Sequence, residues 1–80
     1  MTVPNAQDLP SQLGEAVREH RKAAGLTQVE LARLAGVGKT VVFDIEHGKP
    51  TVRLATMLHV LDALNLRLDW HSPLTGSRDA

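Results

Sequence analysis

The feature that most narrows the fold is a helix whose two ends are both written into the sequence and lie close together. Thr27-Gln28-Val29-Glu30 forms a capping box, in which the Thr27 hydroxyl accepts the backbone N–H of Glu30 while the Glu30 carboxylate accepts that of Thr27. Leu31, Ala32, Leu34 and Ala35 follow, and Gly36 offers a left-handed stop at little cost because it has no Cβ. The spacing predicts a helix of about two turns. A second short helix, over about residues 39–46, begins almost at once and stops at His47-Gly48-Lys49-Pro50. Ala32 has little bulk, so this second helix can cross closely over the first, and Val42 and Ile45, three residues apart, bury one of its faces. At about 100° per residue, Thr40, Phe43, Asp44 and His47 fall on the opposite face, which is free to read something.

The flanking segments complete one small domain. The chain has 80 residues, 42% apolar and 22% charged, which is the composition of a globular protein and not of a disordered one. Upstream, Ser11 is expected to cap a helix in which Leu13, Ala16, Val17, His20 and Ala24 recur at helical spacing and which Gly25 stops. Downstream, Thr51 is expected to cap a fourth helix running to about residue 64, with Asn65 as its left-handed terminator. Its apolar residues Leu54, Met57, Leu58, Val60, Leu61 and Leu64 cover a wider arc than the stripe of about 100° that one core needs. The excess, taken as the Met57, Val60 and Leu64 edge, is assigned to a dimer contact.

The period then changes to two. Leu66, Leu68 and Trp70 alternate with Asn65, Arg67 and Asp69, the mark of a short strand with one apolar face. A lone strand leaves backbone N–H and C=O groups unpaired, so its expected partner is the same segment of a second copy across a twofold axis. Leu66, Leu68 and Trp70 would continue the dimer interface, with Trp70 as its bulkiest anchor. A frayed helix end followed by a disordered tail is the alternative. The expected organisation is a flexible arm over 1–10, a helix-turn-helix domain over 11–65, a dimerisation strand over 66–71 and a disordered tail over 72–80.

Several function classes drop out. The absence of cysteine rules out a Cys nucleophile and Cys-built zinc sites. The longest apolar run is only a few residues, against about 20 needed to span a bilayer, and the first ten residues lack the basic start and apolar core of a secretory signal. No membrane association is expected, and the expected compartment is the cytoplasm. His59 and Asp62 sit three apart, a spacing that suits two metal ligands, but no third or fourth ligand accompanies them. His20, His47 and His71 are scattered, and neither a Ser-His-Asp grouping nor a Walker-type loop is present. The chain is therefore expected to be no enzyme and to need no metal or cofactor.

Residues 13–64 resemble the Xre/Cro-type helix-turn-helix of bacteria and their phages, above all through Gly25-Leu26-Thr27-Gln28, Glu30-Leu31-Ala32, Ala35-Gly36-Val37 and Ile45-Glu46-His47-Gly48-Lys49-Pro50. Within that family, Gly48-Lys49-Pro50-Thr51-Val52-Arg53-Leu54 and the Leu-rich end followed by a strand are similar to HipB-type antitoxins. The resemblance implies an all-α, four- to five-helix, lambda-repressor-like DNA-binding domain with a short C-terminal β-strand pairing across a homodimer. It implies a sequence-specific repressor that binds a palindromic operator in double-stranded DNA, autoregulates its operon, joins the nucleoid when bound and holds a HipA-like kinase toxin. Two alternatives stand beside it: a protein-binding antitoxin or scaffold module with weak DNA binding, and a stand-alone phage-type regulator without a toxin.

Carried onto this chain, the resemblance sets Lys39 and Thr40 against base edges in the major groove. A Lys can donate to guanine O6 or N7, and a Thr offers a hydroxyl or a methyl. Phe43 is a further base contact, on a thymine methyl, or else packs on the neighbouring helix. Thr27 and Gln28, at the positive end of their helix, are implied phosphate contacts. Gly38 stands where related sequences often carry a longer polar side chain. Asp44 departs from the family pattern: phosphates repel it unless it accepts from cytosine N4 or pairs with a cation, and a surface salt bridge is the alternative.

The net charge is zero, so the electrostatic case depends on distribution. From Arg18 to Arg53 seven basic residues face four acidic ones, a surplus of three positive charges. Glu30 and Glu46 are assigned to capping or internal ion pairs, which leaves Lys49 and Arg53, with Arg21 and Arg33 behind them, for phosphates. In a dimer the surplus doubles and binding should fall steeply with salt.

Overall fold

Four helices are cut to length by one device. The computed structural model describes residues 9–69 and the backbone of 71–72 and 76–77. Among these, α1 spans Leu9–Ala23, α2 Gln28–Ala35, α3 Lys39–Glu46 and α4 Leu54–Ala63. Each helix is followed by a residue with positive φ: Gly25, Gly36, Gly48 and Asn65. The next N–H then reaches back five residues, from Leu26 to the Arg21 carbonyl, Val37 to Ala32, Lys49 to Asp44 and Leu66 to Leu61, at 2.8–3.0 Å. This Schellman closure satisfies carbonyls that the end of a helix leaves unpaired. Leu26, Val37 and Leu66 then turn back onto the core.

Two helix starts differ from the expectation. α1 begins at Leu9, so Ser11 lies inside it and does not cap it. Pro10 is tolerated there because N–H groups of a first helical turn have no intrahelical acceptor to lose. The arm expected over 1–10 thus gives up its last two residues to the helix, and residues 1–8 lie outside the described residues. α4 begins at Leu54, with extended Arg53 at its N-cap and no side-chain capping bond. Pro50 and Thr51 form a turn, so Thr51 is not the cap. Val52 packs against the core between them and delays the helix.

The C-terminal ladder also falls elsewhere. Leu66 to Asp69 have no regular secondary structure, and the two-residue β1, His71–Ser72, pairs antiparallel with β2, Gly76–Ser77. Among its described residues the strand expected over 66–71 therefore forms a ladder only at His71, and part of the tail expected to be loose over 72–80 is paired. The physical reason is local: a hairpin closed within the chain supplies partners to the backbone of His71 and Ser72. Trp70 lies outside the described residues.

α1 packs on α3, and α2 packs on both α3 and α4. Val17, Leu31, Val42, Ile45 and Val60 are fully enclosed, with Ala32, Met57 and Leu61 beside them. Each large side chain so buried contributes about 1.5–3 kcal/mol. α1 lies so near the end of α3 that a Cβ on Gly14 would collide with the Ile45 carbonyl oxygen. Gly36 presents the opposite case, with φ 72° and open space around it.

These two glycines should therefore fail differently. Gly14→Ala should cost about 1–3 kcal/mol and shift the α1–α3 contact, because backbone must move. Gly36→Ala should cost about 1–2 kcal/mol, the left-handed penalty alone, and leave the core packing intact. Urea titration read with amide spectra separates the outcomes.

Candidate nucleic-acid interface

α2 and α3 meet through Gly36, Val37 and Gly38, and the corner between them is fixed from within. Ala32 lies 4% exposed beneath α3, while Val42 and Ile45 turn inward. The outward face of α3 carries exposed Lys39, Thr40 and Phe43, the last 47% exposed. These three were expected to read bases, and the fold brings them together on one open surface. The Phe43 ring stacks on His47, one turn later, with centroids 3.9 Å apart.

The expected phosphate contacts are placed unequally. Thr27 is exposed at the N-cap of α2, its oxygen accepting the Glu30 N–H at 3.1 Å while Glu30 accepts the Thr27 N–H at 2.8 Å. Hydrogen bonding from the Thr27 backbone N–H, and after it from the Thr27 side chain, holds the Glu30 carboxyl below the usual carboxylate range. Gln28 is half-buried and donates to Glu46 at 3.3 Å, which leaves its second amide hydrogen for an outside acceptor. Lys49 pairs with Asp44 at 3.4 Å. Asp44 thus forms the surface salt bridge, and Lys49 is not an unopposed cation. Arg53 is exposed at the N-cap of α4.

Behind this surface Arg21 and Glu46 form an ion pair at 2.6 Å, with side chains only 12% and 3% exposed. Arg21 also donates to the second Glu46 oxygen at 3.0 Å and to the Leu26 carbonyl at 2.9 Å. Burial pushes the Glu46 carboxyl up, but hydrogen bonds from Arg21 and Gln28, with the charges of Arg21 and Arg18, outweigh it and hold the group low. Glu46 raises Arg21 in turn, chiefly through their hydrogen bond. Arg21 is therefore withdrawn from the cations available to phosphate.

A short helix pair with an exposed second helix is shared with known proteins. The helix-turn-helix family profile matches residues 17–71. The chain belongs to that family and is a DNA-binding regulator of the Xre, HipB-like type. It is 42% identical over 64 residues to the HTH-type transcriptional regulator y4mF of Sinorhizobium fredii, covering 80% of this chain and 84% of that one. It is 33% identical over 58 residues to the control protein C.SmaI of Serratia marcescens, covering 72% and 69%. HipB in its HipA-HipB-O2-O3 complex superposes with a TM-score of 0.74 at 25% identity, covering 91% of this chain and 97% of that one.

In the regulator, the α4 residues expected at a dimer edge are taken up by the protomer's own core. Met57 is 8% exposed and Val60 fully buried, both in the protomer's own core, and Leu64 and Leu66 are half-buried against it. The core takes the centre of the apolar arc and leaves an edge that periodicity could not choose: Leu54, 69% exposed, and Leu58, 43% exposed. Leu68, also expected at a dimer interface, is exposed. No helix among the described residues is long and apolar enough to cross a membrane.

The Arg21–Glu46 pair was missed as a pair because its members are distant in sequence. Its pH dependence has a definite sign. The folded carboxyl is depressed, so its contribution is complete above the unfolded value near 4.3 and is lost as pH falls through the folded value. Glu46→Gln should cost about 2 kcal/mol at neutral pH, and its deficit against the wild type should shrink below about pH 4. Denaturant midpoints at pH 7 and pH 3 measure this.

Proposed function

We propose that the regulator is a sequence-specific, homodimeric repressor that binds a palindromic operator and serves as the antitoxin of a HipA-like kinase toxin, repressing its own operon. The observation that carries the reading is α3, held rigidly by its core face and its Glu46 end while Lys39, Thr40 and Phe43 stand exposed together. Such a helix enters a major groove ready-formed, and paired copies about one helical turn apart would impose twofold symmetry on the operator. Lys39 and Thr40 are assigned to base edges, with Phe43 on a thymine methyl. Thr27, Gln28 and Arg53 are assigned to phosphates, with Lys49 contributing when it exchanges Asp44 for DNA.

For the homodimer, the exposed Leu58 and Leu68 flank a cleft of about 400 Å³ that also touches Leu61 and Leu66. An apolar patch of this kind on a small domain without disulfides fits a second copy. Arg67 and Leu68 make no backbone hydrogen bond among the described residues, so this stretch is the edge along which two copies would align. The kinase partner is supported by likeness to HipB, whose solved complex contains HipA. Likeness to a control protein supports a second reading, a regulator without a toxin.

Band-shift titration with the DNA upstream of its own gene tests the repressor. Specific binding at low salt is expected, and its absence refutes the reading. Lys39→Ala or Thr40→Ala should lose about 1–3 kcal/mol on the preferred site and relax base preference there. Arg53→Ala should weaken all sequences alike and lower the salt slope by about 0.9 per protomer. Leu58→Glu with Leu68→Glu should halve the sedimentation mass and weaken operator binding by at least about tenfold, through loss of the second half-site. Co-purification with a kinase encoded beside the gene separates the antitoxin from the toxin-free regulator.

A further inference from the structure

We propose that His47 is a proton-gated contact for a DNA backbone phosphodiester, seated in a cleft where α1, α2 and α3 meet; the inference rests on the DNA-binding reading and adds a regulation to it. Arg18, Arg21, Gln28, Glu46 and His47 line this cleft, whose volume is about 240 Å³. It opens at the N-terminal end of α2 and the C-terminal end of α3, beside the exposed reading face.

The gate follows from the tautomer. The Nδ1 atom of His47 lies 2.8 Å from the Phe43 carbonyl oxygen. A carbonyl can only accept, so Nδ1 carries a hydrogen, and in the neutral ring Nε2 is then a bare acceptor. Phosphodiester oxygens also only accept. Neutral His47 therefore has no hydrogen to give a phosphate, whereas the imidazolium has one on Nε2. Its position is set in advance, because stacking on Phe43 at 24° between planes holds the ring.

Inside the cleft the acids are matched by cations of the chain, which leaves its open side to an outside anion. From α1 the cleft receives Arg18 and Arg21, and from α2 the neutral Gln28. From α3 come Glu46 and, nearby, Asp44, with Lys49 following the helix. Glu46 is matched by Arg21, and Asp44 by Lys49. Exposed Arg18 adds a positive charge on the rim. A phosphate entering here meets one standing cation and one that appears on acidification, and each stabilises the other's ligand.

Because a phosphate contact ignores base sequence, the probe is a random duplex of about 20 base pairs, followed by fluorescence anisotropy at pH 5.5 and pH 8.0 over a salt series. The wild type should bind about tenfold tighter at pH 5.5, with a salt slope steeper by about 0.9 per protomer. His47→Gln should bind equally at both pH values. His47→Lys should bind at pH 8.0 as the wild type does at pH 5.5. His20→Gln, which loses the same type of bond to the Ala16 carbonyl outside the cleft, should keep the pH dependence. Binding that is indifferent to pH, or pH dependence that survives in His47→Gln, overturns the gate and leaves DNA binding standing. No binding at either pH overturns both.

Discussion

The ion pair between Arg21 and Glu46 is the interaction on which the reading surface depends. It joins the end of α1 to the end of α3, and through Gln28 and the Leu26 carbonyl it also fixes the start of α2. Apolar packing by Val42 and Ile45 sets how deep α3 lies, but packing is tolerant of small slides along a helix axis. A two-bond carboxylate clamp is not, because its geometry is directional. Buried ion pairs contribute little net stability compared with a well-packed apolar substitute, so the consequence here is positional. With Gly36 setting one end of α3 and Glu46 the other, an eight-residue helix has almost no freedom left. Its outward side chains then meet a ligand without a large ordering cost.

What could be read from the sequence was what local chemistry decides. The capping box at Thr27 and Glu30, the corner at Gly36 and the left-handed Asn65 all depend on hydrogen bonds spanning a few residues. The exposure of Lys39, Thr40 and Phe43 follows from helical period once Val42 and Ile45 are placed inside. Long-range demands left no such trace. Gly14 is small because the Ile45 carbonyl passes over it, and nothing near Gly14 in the chain announces that. Arg21 looked like a spare cation until its partner, 25 residues on, was brought to it. On α4 the pattern gave the width of the apolar arc without its orientation, which puts Met57 and Val60 inside and Leu54 and Leu58 outside. Alternation after Asn65 was real, yet alternation marks a face and not a pairing partner.

Pairing inside the chain also explains how a sequence of zero net charge can present a reading surface. Glu30 is tied into a cap, Glu46 to Arg21 and Asp44 to Lys49. The acids near the surface are thereby oriented or matched, and the fields they project outward are short. The same pairing removes cations from the count. Of the seven basic residues between Arg18 and Arg53, Arg21 and Lys49 are occupied, so the attraction to phosphate rests on fewer charges than the sequence suggested. Arg18, Lys39 and Arg53 stay exposed on three different elements.

Gly38, at the start of α3, is a glycine that the fold does not require. It is the N-cap of α3, with φ −77° and ψ 153°, a conformation open to any residue. No atom outside its neighbours lies within 4 Å of where a Cβ would stand. A serine or aspartate there would cap the helix and gain a few tenths of a kcal/mol over glycine. The fold therefore neither requires this glycine nor gains from it. What the missing side chain does is leave bare backbone N–H groups at the leading end of α3, beside Lys39 and Thr40. Those groups are donors at the positive end of a helix dipole, and without a cap they stay available to an outside acceptor. Where a corner brings a helix end first to a duplex, a glycine lets the backbone itself approach the groove.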